Sequence, residues 1–362
     1  MKVVTILGTR PEIIRLSRII SKLDRLAKKH TVVHTGQNFT EELSGVFFKT
    51  LQVRTPDYQL FNQQLTVGEQ LSEMFKGLEA IFLKEKPDRI LILGDTNSGL
   101  SAILAERMGI PVFHMEAGNR CFDLKVPEEK NRKVIDSISS INLPYTEQSR
   151  ENLLREGLHP GKIHVTGNPI KEVLDHYKEE IIKSPILNQL NLQKKNYLLA
   201  TIHRSENVDR PERLMEIFKG LNETAEKLNV RVICSIHPRT ETRLKQTSLD
   251  LHPLVEFYKP FSFFDFVQLE KHAACVLTDS GTVQEECCLF HVPAVTIRDT
   301  TERPETVACG SNMLSGIDAK SITFSVEVMM NLPNKWMIPE EYLRENVSDT
   351  VVKIILGGKS CV

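Results

Sequence analysis

Short aliphatic and β-branched runs recur along this chain at intervals filled by longer amphipathic stretches, and few folds accept that alternation. Residues 3–7, 31–35, 89–93 and 111–115 read as strands, with helical periodicity over 11–28, 67–84 and 97–108 between them. A strand that is apolar throughout is covered on both faces, and a helix between successive strands makes them parallel. The rhythm continues through strand-like 141–144 and 163–166 with a helix over 147–156, so a first unit closes near Asn168. Residues 171–195 are charged, helix-prone and broken by Pro185, which suits a hinge better than a core. A second series then starts, with strands over 197–202, 230–236, 255–258, 275–277 and 294–297 and helices such as 211–228 and 282–290. At 362 residues the chain is long enough for two cores. The expected fold class is α/β: two Rossmann-like, doubly wound parallel-sheet domains, 1–170 and 171–340, facing a central cleft. In such sheets ligands meet the carboxyl ends of strands, so residues just past strands are the candidates.

Charge narrows the partner. With 46 basic and 47 acidic residues, a net charge of −1 leaves no footprint for nucleic acid or an anionic membrane, and a small molecule fits better. Met1-Lys2 leads directly into a strand without the apolar run of a signal peptide, and no stretch reaches membrane-spanning length, so a cytoplasmic location is expected. Seven cysteines at irregular spacing, without Cys-x-x-Cys, argue against a disulfide framework and a structural zinc site. They are expected to be reduced and buried, with Cys287 and Cys288 as plain packing on a helix.

The chemistry-bearing residues stand at strand ends. Gly8-Thr9-Arg10-Pro11-Glu12 follows the first strand, where a helix N-terminus and the Arg10 guanidinium can face an anion. A single glycine in such a turn is also common in any α/β protein. Thr278-Asp279-Ser280-Gly281-Thr282-Val283-Gln284-Glu285-Glu286 follows another strand. Small residues there let amides approach a phosphate, Ser280 adds a hydroxyl, and Glu286 suits paired ribose hydroxyls. An ordinary helix cap by Asp279 or Ser280 explains the same spacing. Three carboxylates, Asp95, Glu116 and Glu128, lie in first-domain loops, and acid and base work at one carbon needs groups on both faces. Alternatively, Asp95 caps the helix beginning near Asn97 and Glu129 is solvated surface. His203 and His237 end strands of the second domain beside arginines, where either can face a diphosphate. No His-x-x-x-His or clustered His and Asp spacing supports a metal site.

Taken together, Gly8 to Glu12, Gly94 to Thr96, Glu116 to Gly118, Pro127 to Arg132, Thr278 to Glu286 and Arg298 to Glu305 resemble the non-hydrolysing UDP-N-acetylglucosamine 2-epimerase family over nearly the whole chain. The resemblance implies a GT-B-like pair of domains, a UDP-sugar substrate held mainly by the second domain, a C-terminal helix (about 340–362) returning to the first, and a homodimer. It also implies anti elimination of UDP with loss of the carbon 2 proton, a bound 2-acetamidoglucal, and re-addition after reprotonation from the other face. No nicotinamide or other cofactor and no metal is then required. Asp95, Glu116, Glu128 and His203 match the family's catalytic positions. Arg10, Ser280, Gly281 and Glu286 match its UDP contacts, and Arg15, Arg132, His237, Thr282 and Arg303 are further substrate-binding candidates.

Some positions depart from the UDP-N-acetylglucosamine pattern. A lysine common in the family's first helix is Arg15 here, Ile202 to Asn207 replaces a Gly-His-Arg-Arg-Glu segment, and the loop from Asn119 to Pro127 is shorter. With Ser280-Gly281-Thr282 and Glu286-Cys287-Cys288, these features are more similar to the branch that converts UDP-2-acetamido-2,6-dideoxy-L-talose to UDP-N-acetyl-L-fucosamine. A glycosyltransferase of the same architecture is the rival from another reaction class.

Overall fold

The computed structural model describes residues 1–36, 46–60, 66–236, 238–245 and 250–357. The chain divides into two compact units, Met1–His176 with Glu340–Val362, and Tyr177–Pro339. Among the described residues no helix is long and apolar enough to cross a membrane.

In the first unit, strands β1 (Lys2–Leu7), β2 (Lys29–His34), β3 (Tyr58–Gln59), β4 (Arg89–Leu93), β5 (Val112–Met115) and β6 (Ile141–Leu143) form one sheet in the order β3-β2-β1-β4-β5-β6. The second unit builds its own from β7 (Tyr197–Ile202), β8 (Arg231–Ile236), β9 (Val255–Tyr258), β10 (Cys275–Thr278), β11 (Ala294–Thr296) and β12 (Asn312–Leu314), ordered β12-β11-β10-β7-β8-β9. Every pairing is parallel. Counted within each sheet the order is the same doubly wound one, and its direction reverses between β1 and β4 in one unit and between β7 and β10 in the other. At such a reversal the connecting helices leave to opposite faces and open a crevice at the strands' carboxyl ends. The two doubly wound parallel sheets expected from the alternation are therefore observed, with the division between units at His176 and Tyr177.

Burial explains why the central strands are apolar along their whole length. All five residues of β4, Arg89 to Leu93, are buried, and helices cover both faces. Val4, Ile6, Ile90 and Ile92 pack with Leu78, Phe82 and Ile135 in one core, while Leu198, Ala200, Val232 and Leu277 pack with Ile217, Phe218 and Ile322 in the other. Each such side chain contributes roughly 1.5–3 kcal/mol on burial.

Three local expectations change. Residues 163–166 form no strand, only a single bridge from Ile163 to Asn142, after which the chain turns through Gly167 at a φ of 91°. The edge strands β3 and β12, two and three residues long, are too short to show a period of two in sequence. Residues 171–195 hold the short helices Lys178–Ile182 and Ile186–Gln189, and Ile186 and Leu192 are buried in the second unit's core rather than left in a polar connector. The C-terminal helix Val347–Leu356 packs on helix Arg10–Leu26, where Lys22 meets Asp349 at 2.8 Å and Ser348 Oγ at 2.5 Å.

Candidate functional site

The candidate residues of each unit gather where its sheet reverses. In the first unit the turn after β1 carries Arg10, and the turn after its neighbour β4 carries Asp95. Glu12 joins the two turns. It is buried in the first turn of its helix, accepts from the amides of Gly8 at 2.5 Å and Thr9 at 3.2 Å, and takes the Thr96 hydroxyl at 2.7 Å. Glu12 thus occupies the amides of Gly8 and Thr9, just before the helix N-terminus expected to face an anion. The Arg10 side chain, half-buried with its guanidinium 5.6 Å from the Phe47 ring centre, stands at the same turn.

Burial raises the Glu12 carboxyl to about 7 against the opposing pull of the Thr96, Gly8 and Thr9 hydrogen bonds. A carboxyl raised on folding binds its proton more tightly in the native state, so stability falls as pH rises from the unfolded value near 4.5 to about 7 and is level above that. The slope contributed by this one group reaches about 1.4 kcal/mol per pH unit. Glu12→Gln keeps the shape and removes the titration. Urea midpoints measured between pH 5 and 7 are therefore expected to lose that slope in the variant, and an unchanged slope would contradict the assignment.

Glu116 immediately follows β5, and its carboxylate is bonded to the guanidinium of Arg15, with both side chains buried. Arg15 also lies 5.7 Å from the Tyr145 ring centre. Glu116 has a φ of 67°, a left-handed conformation uncommon for a residue with a Cβ, and unlike Lys86, Asn229 and His291 it does not end a helix. The surroundings here are firm. Gly118, at a φ of 79°, lies so close to Ser149 that a Cβ would stand 2.2 Å from its carbonyl oxygen. Its amide donates to Asp136 at 3.1 Å, and Asp136 also holds His114 at 2.8 Å and Arg120 at 2.7 Å. His114 closes the frame by bonding the Gly94 carbonyl, 2.9 Å away, one residue before Asp95.

Asp95 is ion-paired to the buried Arg132, whose other nitrogen is 2.8 Å from Glu129. Neither alternative raised for these acids holds. Thr96, not Asp95, is the residue at the N-terminus of the Asn97–Leu100 turn, and Glu129 is fully buried, accepting from the amides of Cys121 at 3.0 Å and Phe122 at 3.1 Å. Glu128 stands beside Glu129 in the first turn of helix Pro127–Ile138, half-buried. Asp95 and Glu116 lie just beyond the paired residues Leu93 and Met115 of neighbouring strands.

The second unit repeats the scheme at β7 and β10. Asp279, fully buried, accepts from the amides of His203 at 3.1 Å and Arg204 at 2.9 Å and from the Asn207 side chain at 3.2 Å. Its role is to tie the turn after β7 to β10, not to cap a helix. Ser280 begins helix Gly281–Phe290 without spending its hydroxyl on a capping bond. The His203 ring is half exposed, with Nδ1 3.4 Å from Asp279. A Cβ at Gly281 would stand 2.6 Å from the Glu302 carboxylate, which would have to shift to admit it. Glu302 gathers Arg204 at 2.9 Å and Arg298 at 2.7 Å, and Arg303 pairs with the buried Glu285. Thr282 is partly exposed and Glu286 buried on the same helix. Glu286 faces Glu270, and burial first and this neighbour second hold the Glu270 carboxyl well above the carboxylate range. His237 lies outside the described residues.

Glu12, Asp136, Arg120, Glu270 and Glu302 were not singled out from sequence. Their long-range contacts, such as Thr96 to Glu12 across 84 positions and Arg204 to Glu302 across 98, are encoded by no local pattern, although Glu12 also caps its own helix and Glu302 holds Arg298 four residues back. Only Glu129 carried a signal, as the twin of Glu128. Among the described residues no group of three or more His, Cys, Asp or Glu is placed to hold a metal.

Two doubly wound units, each presenting polar and charged side chains at its reversal point, define a GT-B-like α/β architecture. A lipopolysaccharide glycosyltransferase, WaaG, shares this fold at a TM-score of 0.63 and 12% identity, covering 99% of this chain and all of that one. The profile of the UDP-N-acetylglucosamine 2-epimerase family matches residues 21–356, and the chain belongs to that family. It is similar to the UDP-N-acetylglucosamine 2-epimerase of Methanocaldococcus jannaschii, 41% identical over 99% of this chain and 100% of the relative. The UDP-2,3-diacetamido-2,3-dideoxy-D-glucuronate 2-epimerase of Pseudomonas aeruginosa is 38% identical over 87% and 88% of the two chains. A crystal structure of the M. jannaschii enzyme in complex with UDP-GlcNAc and UDP superposes at a TM-score of 0.93, with 40% identity over 99% of this chain and 100% of that one. This chain is accordingly an isomerase, a UDP-sugar 2-epimerase.

Proposed function

We propose that the chain inverts carbon 2 of a UDP-2-acetamido sugar by anti elimination and re-addition of UDP. The observation that carries this reading is the pair of acids past β4 and β5. Asp95 and Glu116 are each held by a buried arginine, and Glu116 keeps an unfavourable backbone conformation. The proton on carbon 2 is not next to a carbonyl and has little acidity of its own, so departure of UDP must lead. In this reading Arg10, His203 and the amides around Ser280 meet charge growing on the diphosphate, and Glu286 takes the ribose. Asp95, Glu116 and Glu128 then move the carbon 2 proton between faces, exchanging acid and base roles with reaction direction. Arg132 serves by holding Asp95 and Glu129, and Arg303 by holding Glu285. In deuterated water, turnover without any acceptor is expected to place deuterium at carbon 2, and an unlabelled product would overturn the proposal in favour of group transfer.

For the sugar, Arg15, the Ile202 to Asn207 segment and the short Asn119 to Pro127 loop support UDP-2-acetamido-2,6-dideoxy-L-talose. A second reading, UDP-N-acetylglucosamine, draws support from the name of the M. jannaschii relative. Paired kcat/KM measurements separate them: the 6-deoxy sugar is expected to turn over faster, and the reverse preference removes the first reading.

A further inference from the structure

The cysteines do not behave as uniform packing. Cys288, fully buried on helix Gly281–Phe290, has its Sγ 3.8 Å from that of Cys309, which follows helix Pro304–Ala308 and is partly exposed. Cys309 Sγ is also 3.3 Å from the Ser311 hydroxyl and 3.4 Å from the Thr306 carbonyl. We propose that Cys288 and Cys309 form a reversible redox modification site, in which a hydroperoxide oxidises the partly exposed Cys309 and the buried Cys288 resolves it to a disulfide.

Three observations support it. The Cys288 thiol and, next, the Ser311 hydroxyl bond the Cys309 sulfur and pull its ionisation downward against burial, which favours the thiolate on the partly exposed member of the pair. Closing the gap to a bond of about 2 Å needs less than 2 Å of movement. Cys309 can supply it, because the next residue is Gly310, exposed, at a φ of 86° and with open space where a Cβ would be. Neighbouring Cys287 is differently committed, its thiol donating to Glu270 at 3.3 Å.

The chemistry balances with a hydroperoxide as oxidant. The Cys309 thiolate attacks the distal peroxide oxygen, the O–O bond breaks, and the leaving oxygen takes a proton, leaving a sulfenic acid on Cys309. The Cys288 sulfur then attacks Cys309 Sγ, the S–O bond breaks, and the Cys288 proton departs with the hydroxyl as water. Together the two sulfurs lose two electrons, which the peroxide gains. The bond would staple the helix carrying Ser280 to Glu286 to the segment that follows Arg303.

The test treats the whole chain with a modest excess of hydrogen peroxide, blocks remaining thiols, and maps peptides by mass spectrometry without reduction. A Cys288–Cys309 cross-linked peptide, lighter by two hydrogens, is expected. It should disappear on treatment with dithiothreitol and be lost in Cys288→Ser and in Cys309→Ser, while Cys287→Ser and Cys361→Ser keep it. Sulfinic acid accumulating on Cys309 without the cross-link, bonds through Cys287 or Cys361 instead, or no change at Cys309 would each overturn the proposal. None of these outcomes depends on which sugar the enzyme uses.

Discussion

Glu116→Gln is expected to lower kcat by about 10²- to 10⁴-fold, the usual worth of a positioned acid or base, while leaving UDP affinity nearly unchanged. The split matters because Glu116 also partners the buried Arg15. Removing one member of such a pair leaves a charge without its counterion, at a typical cost of 3–5 kcal/mol, and Gln limits that cost by keeping an acceptor for the guanidinium. A purely structural Glu116 would lower the melting temperature and leave kcat of the surviving folded enzyme intact. Steady-state kinetics beside calorimetric binding of UDP therefore decide the matter, and an unaltered kcat would remove Glu116 from the chemistry. Arg15→Met is a useful companion, since its effect on kcat should be smaller if Arg15 only positions the acid.

The second large effect is expected at Asp279. Its carboxylate accepts from the His203 and Arg204 amides and from Asn207, so Asp279→Asn turns one acceptor into a donor facing N–H groups. Leaving buried donors unmatched costs about 1–3 kcal/mol, and here the strain falls on the turn that presents His203. UDP binding is expected to weaken by at least tenfold and KM to rise with it, while deuterium exchange at carbon 2 of bound sugar persists. Wild-type UDP affinity in the variant would show that the turn does not depend on this anchor. Because Asp279 acts through the backbone of its neighbours, its replacement and that of His203 should be strongly non-additive.

Part of this site was legible because motif segments after strands are local. Gly8 to Glu12 and Thr278 to Glu286 each occupy a single strand-to-helix turn, and their spacing survives in sequence. The alternatives left open there were settled by distance. Asp279 is committed to another strand's turn, Glu129 is buried, and Asp95 is paired to Arg132. Nothing in the spacing of residues 288 and 309 says that their sulfurs lie 3.8 Å apart.

Sequence by itself determined the fold class, the parallel sheets and the segments where chemistry gathers, because strand and helix periods and turn residues act over a few neighbours. Tertiary structure alone decided which carboxylate meets which arginine, why Glu116 keeps a left-handed backbone, and that Glu12, Asp136 and Glu302 hold the loops in place. Those outcomes rest on burial and on contacts between strand ends brought together by the sheet order, and such contacts exist only once the chain has folded.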